Sequence, residues 1–171
     1  KRRVALFYTM VLRQPCSASW VVKLQNQATA ALMPAYRELL DAVPKQKVLG
    51  GDESPTKQGK IKAWLWTFVA ASFTLFALRL SRKASVPLEI LGQDFDGVIT
   101  CDRAKMYWSC GQLQWCWAHL MRDFQKWKDH PDGRVKRLGC DLLRETRKLF
   151  ELWHKVRDGT LTRSEFVSQM K

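Results

Sequence analysis

Ala63-Trp64-Leu65-Trp66-Thr67-Phe68-Val69-Ala70-Ala71-Ser72-Phe73-Thr74-Leu75-Phe76-Ala77-Leu78-Arg79-Leu80 carries one charged residue in eighteen. Its reading decides the fold. A helix crossing a bilayer needs about 20 apolar residues, and this run is shorter and holds Thr67, Ser72 and Thr74. Aromatic and β-branched residues dominate it, which suits a pleated, half-buried surface. The stretch predicts two adjacent strands, near 63–70 and 73–80, turning at Ala71-Ser72. Trp64 and Trp66 then share one face of the sheet, where core packing outweighs base stacking.

Working outward, Lys47-Val48-Leu49-Gly50-Gly51-Asp52-Glu53 is short and β-compatible. Ser54 to Lys62 has the polar, Pro- and Gly-containing composition of a loop. Ser85-Val86-Pro87 opens a helix with a polar cap and an early proline, and Gly92 stops it. Gly97 to Cys101 is a further short strand ending in Asp102, and Leu113 to Cys116 a second candidate. The pattern predicts helices elsewhere. Residues 18–43 form one, interrupted or restarted at Pro34. Trp117, Leu120, Phe124 and Trp127 share a face of another. In 134–157, Val135, Leu138, Leu142, Thr146, Leu149, Trp153 and Val156 make a stripe. The last begins at Thr162 with a capping box to Glu165.

The order is mixed α/β, with three consecutive strands before the first crossover helix, as in a ribonuclease-H-like sheet flanked by helices. We divide the chain into a helical N-terminal segment at 1–45, a mixed α/β core at 46–128 and a further helical segment at 129–171. Both ends read as cut, and no signal peptide is visible after Lys1.

The chain has 171 residues with 29 Lys and Arg against 16 Asp and Glu, a net charge of +13. Such a balance attracts a polyanion, with nucleic acid as first candidate and an anionic membrane surface as second. Five scattered cysteines without a C-x-x-C pair argue against a disulfide framework and fit a reducing compartment. Cys116 and His119 lack the spacing of a structural zinc site.

Asp52 and Asp102 each sit at the end of a short apolar strand. If the two strand ends lie side by side, the like charges need a cation or a proton between them. Carboxylate oxygens suit Mg²⁺ or Mn²⁺, and paired divalent ions serve phosphoryl transfer. The other reading is that each Asp caps a turn or helix. Glu53 points away from Asp52 along an extended strand, in a supporting role. His119 is positioned to hydrogen-bond a phosphate or an acid, or is an ordinary helical histidine. Lys57, Lys60 and Lys62 flank the first acid in sequence, Arg103 and Lys105 follow the second, and Arg122, Lys126 and Lys128 lie on the later helix. Of these, Lys57, Arg103, Lys105, His119, Arg122 and Lys126 are the candidate DNA contacts; solvated surface charge is the alternative.

Four ordered blocks resemble the transposases of the insertion-sequence-66 type. They are Gly51-Asp52-Glu53-Ser54, Ala63-Trp64-Leu65-Trp66-Thr67-Phe68-Val69, Cys101-Asp102-Arg103-Ala104-Lys105-Met106-Tyr107 and Cys116-Trp117-Ala118-His119-Leu120-Met121-Arg122-Asp123-Phe124. The resemblance implies a DDE-type recombinase with three acids around two Mg²⁺ ions. Such an enzyme cleaves DNA at the element's ends and joins the freed 3′-hydroxyls to target DNA. Asp52 then matches the first catalytic acid and Asp102 the second. The chain departs from the family at Gly50, where His is frequent, and at Ser54, where Thr follows Asp-Glu. The third acid, a Glu near an Asn-rich, Glu-Arg motif, has no counterpart before Lys171. Glu145, Glu151 and Glu165 fall in the part resembling the helical insertion. The resemblance therefore implies an enzyme as the parent and a fragment that is inactive alone. It implies a cytoplasmic, nucleoid-associated protein, DNA as partner, no membrane, and a homo-oligomer left open for the full-length protein. The competing reading is a non-catalytic basic module that binds DNA or another partner.

Overall fold

The computed structural model describes residues 1–170 and divides the chain into two compact units, Lys1–Leu113 and Gln114–Lys171. The first opens with helices α1 (Arg2–Met10) and α2 (Ala18–Ala42). Strands β1 (Val48–Gln58), β2 (Ile61–Val69) and β3 (Thr74–Arg79) follow. Helix α3 (Ser85–Leu91) crosses to β4 (Val98–Cys101), and β5 (Gln112–Trp115) comes last. The sheet order is β3-β2-β1-β4-β5. β1, β2 and β3 pair antiparallel, and β4 returns parallel to β1. The sheet is ribonuclease-H-like, with helices flanking it.

The charge-poor run at 63–80 is thus two strands. Among the described residues no helix is long and apolar enough to cross a membrane. The expected loop at 54–62 is instead the tip of a long hairpin. The β1–β2 pairing continues from Gly50↔Val69 to Gln58↔Ile61, leaving Gly59-Lys60 as a two-residue turn. Gly59 has φ 64°, which such a turn asks of a leading glycine. Pro55 sits within β1, but β4 pairs only with Val48, Leu49 and Gly50. Beyond Gly50 the strand has an open edge, where a proline is tolerated. Asp52 consequently lies inside β1 rather than at its end.

Pairing sorts the sheet into two faces. Leu49, Gly51 and Glu53 of β1 turn inward with Trp66 and Phe68 of β2, Leu75 and Ala77 of β3, and Ile99 and Cys101 of β4; all are buried. Val86, Ile90 and Leu91 of α3 pack on this face, with Tyr36, Leu39 and Leu40 of α2 at its margin. Met106 and Tyr107, in a 3-10 turn at Lys105–Tyr107, complete the core. Two helix details differ from expectation. Pro34 lies within one continuous helix, since α2 runs through it to Ala42. Ser85 is the first residue of α3 and makes no capping bond.

In the second unit α4 (Trp117–Lys128), α5 (Gly133–Arg157) and α6 (Arg163–Gln169) follow one another. Asp132 caps α5 by accepting from the Arg134 and Val135 amides. α4 and α5 run antiparallel, since Trp117 meets Phe150 edge-on at 5.6 Å while Gly139 lies against the backbone at Trp127 and Lys128. That approach rotates the expected stripe. Gly139, Leu143 and Thr146 are buried, whereas Leu138 and Trp153 are exposed. A β-carbon at 139 would stand 2.3 Å from the Lys128 nitrogen, so α5 turns its glycine toward α4. Thr162 and Glu165 form the expected capping box of α6.

Candidate functional site

Asp52 belongs to the other face of the sheet. β1 alternates strictly from Val48 to Ser54, and Asp52 is exposed between buried Gly51 and buried Glu53. β4 pairs with β1 at a constant offset, through Val48↔Val98, Leu49↔Ile99 and Gly50↔Thr100. The ladder ends at Gly50↔Thr100, two residues before each aspartate, and Asp102 is the first residue past β4. Alternation gives Asp52 the face of Gly50. Asp102 Oδ1 accepts the Ala104 amide at 2.8 Å, a local turn bond of the kind aspartate forms. It fixes the direction in which the chain leaves β4.

Behind Asp52, on the inner face, Glu53 is the hub of a buried polar cluster. Its side chain is 2% exposed. Oε1 accepts from Arg82 Nη2 at 2.6 Å and Nε at 3.0 Å, and Oε2 accepts the Tyr107 hydroxyl at 2.8 Å. A buried carboxylate needs such partners to offset its lost hydration. Arg82 stacks on Trp64, 4.8 Å from the ring centroid, and Trp66 Nε1 donates to the Ser81 carbonyl at 3.1 Å. Burial first, then the bond to Glu53 and the negative charge of Glu53, Asp52 and Cys101, push the Tyr107 phenol far above its ordinary range. Tyr107 therefore stays a donor. The cluster ties β1 at the first aspartate to the turn that follows the second. Glu53 thus lies on the face opposite Asp52, as extended-strand alternation predicts.

Arg82 and Tyr107 were not singled out in the sequence. A signal for them existed: a glutamate forced inward beside an outward aspartate must find a cation or a hydroxyl. The Arg82-Lys83 pair after β3 supplies the cation, and Tyr107 ends the block containing Asp102.

The candidate basic residues separate into groups. Arg103 and Lys105 follow Asp102 directly and, with Arg82, Ala84, Ala104 and Met106, line a cleft of about 550 Å³. Lys57, Lys60 and Lys62 occupy the far end of the β1–β2 hairpin. Lys57 is five residues beyond Asp52, roughly 17 Å along the strand, and alternates to the opposite face. In the second unit, His119, Arg122 and Lys126 recur at helical spacing along the exposed side of α4. Arg122 Nε donates to the Ala118 carbonyl at 3.2 Å, and Lys126 pairs with Asp123 at 3.4 Å.

The carboxylates of Asp52 and Asp102 are hard oxygen donors of the kind Mg²⁺ or Mn²⁺ takes. Among the described residues no three of His, Cys, Asp or Glu gather as a metal-holding group.

No curated protein matches the chain. Among solved structures, the catalytic core domain of HTLV-2 integrase in complex with magnesium (trimeric form) is similar. It matches at 14% identity and a TM-score of 0.35, over 57% of this chain and 82% of that one. The family model of the IS66 family transposases matches residues 2–169. A match of that extent makes the protein a member of the IS66 transposase family.

Proposed function

We propose that this chain is the part of a DDE-type DNA transposase that supplies the first two catalytic carboxylates, Asp52 and Asp102. The single observation that supports the reading is the parallel β1–β4 pairing, whose last pair, Gly50↔Thr100, lies two residues before each aspartate. Together the two carboxylates would hold Mg²⁺, with two ions in the complete enzyme. Bound there, Mg²⁺ would neutralise charge on a phosphodiester and ease attack on phosphorus. The reaction is cleavage at the ends of a transposon followed by attack of the freed 3′-hydroxyl on target DNA. The chain's own share is positioning and charge neutralisation. Asp52 is stiffened from behind by the Glu53–Arg82–Tyr107 cluster. Asp102 is oriented by its bond from the Ala104 amide. Arg103 and Lys105 stand next in sequence to Asp102, where a DNA strand would approach, and His119, Arg122 and Lys126 offer a second basic strip. A third acid completes the set in the family, so residues 1–171 alone should bind a divalent ion without turning over DNA.

Calorimetry with Mn²⁺ tests this reading. Wild type should show saturable binding, and Asp52→Asn and Asp102→Asn should each abolish it while the protein stays folded. One observation favours a second reading, a basic DNA-binding module without catalysis: Asp102 already serves its own turn. Absence of Mn²⁺ binding in the folded wild type would select that module.

A further inference from the structure

The cleft beside Asp102 has three cationic walls. Arg82 comes from the segment after β3, and Arg103 and Lys105 from the segment after β4. Arg82 is held in place: Nε and Nη2 both bind Oε1 of Glu53, and its guanidinium lies on Trp64. Its side chain is nevertheless 47% exposed. A cation anchored from behind and open in front loses little freedom when it meets an anion, which favours binding. Lys105 Nζ stands 5.9 Å from the ring centroid of Trp108, and Trp108 is 58% exposed. An indole this exposed, next to a cationic cleft, contributes little to the core around it. It has the makings of a stacking platform.

We propose that Arg82, Arg103, Lys105 and Trp108 form a subsite for one unpaired nucleotide. The three cations hold its phosphodiester, and the indole of Trp108 stacks on its base. The inference rests on the transposase reading and deepens it, because it names where strand separation is favoured. A base within a duplex has its faces covered by its neighbours, so only a single strand or a frayed end can use Trp108.

The test is fluorescence anisotropy of the full chain with a labelled single-stranded oligonucleotide and its duplex, across a salt series in EDTA. Working without divalent ions separates this subsite from the carboxylate pair, whose failure would appear only in the Mn²⁺ experiment. Arg103→Ala/Lys105→Ala should reduce the slope of log affinity against log salt by about 1.4 on the single strand, two phosphate contacts at about 0.7 each. Trp108→Ala should weaken single-strand binding about tenfold, leave that slope unchanged and hardly affect the duplex. The replaced side chains are exposed, so these variants should fold, which thermal melting checks. Arg134→Ala/Arg137→Ala on α5 removes equal charge from another surface. If it lowers affinity and slope as much as the cleft variant does, binding follows net charge and the subsite is wrong. A Trp108→Ala protein that binds the single strand like wild type overturns the stacking role.

Discussion

The two faces of the sheet are built by the same strands and obey different rules. On the inner face, Trp66, Phe68, Leu75, Ala77 and Ile99 are almost wholly withdrawn from water, and even the acid there, Glu53, is fully partnered. On the open face, Val48 is 59% and Phe76 57% exposed, and Asp52 stands among them. A two-residue period lets adjacent positions serve opposite purposes. Gly50 and Asp52 look outward, Gly51 and Glu53 inward. One face makes the sheet rigid, and the other displays what the rigidity positions.

The contrast should break most visibly with large side chains. Trp66→Ala should cost about 3–5 kcal/mol, whereas Phe76→Ala on the open face should cost about 0.5 kcal/mol or less; urea denaturation of both variants measures the gap. Similar losses would mean that the open face is covered.

Adjacent glycines sharpen the comparison. A β-carbon on Gly51 would lie 3.1 Å from the Tyr107 ring and 3.2 Å from Ile99 Cγ2. Gly51→Ala should therefore destabilise by about 1–3 kcal/mol. On Gly50 the nearest atom is Val69 Cβ at 3.4 Å, an ordinary contact, so Gly50→Ala should be close to neutral by the same denaturation.

A smaller effect should come from pH. The folded protein holds the Tyr107 proton above the ordinary phenol value of 10.0, while the unfolded chain releases it near that value. Stability from this group is thus complete below about pH 10 and falls as pH rises beyond it. Urea midpoints at pH 8 and 10.5 should drop less in Tyr107→Phe than in wild type. The smallest change in stability should be that of Asp52→Asn. Its side chain is exposed, so the midpoint should move by about 0.5 kcal/mol or less, even as Mn²⁺ binding disappears.

Much of this was readable in advance because it depends on local chemistry. The density of β-branched and aromatic residues in 63–80 marked two strands. Thr162 with Glu165 announced a helix start, and the alternation around Asp52 already assigned Glu53 to the opposite face. The loop expected at 54–62 misled because Pro55 and Gly59 have the same composition in a loop as in a hairpin with an open edge. Only a partner strand distinguishes them. Leu138 was assigned to the packed stripe of α5 and is exposed, because periodicity gives a stripe its spacing, while the close approach at Gly139 sets its rotation.

By itself, the chain's order of residues determined its strands, most of its helices, its net positive charge and the pair of aspartates worth testing. These follow from neighbours a few positions apart. Tertiary structure alone decided that the strands leading to Asp52 and Asp102 pair side by side, that Glu53 is met by Arg82 and Tyr107, and that Arg82 joins Arg103 and Lys105 around one cleft. Those relations link residues 21 to 54 positions apart. Side-chain chemistry names groups that need a partner, but strand pairing chooses which distant group arrives.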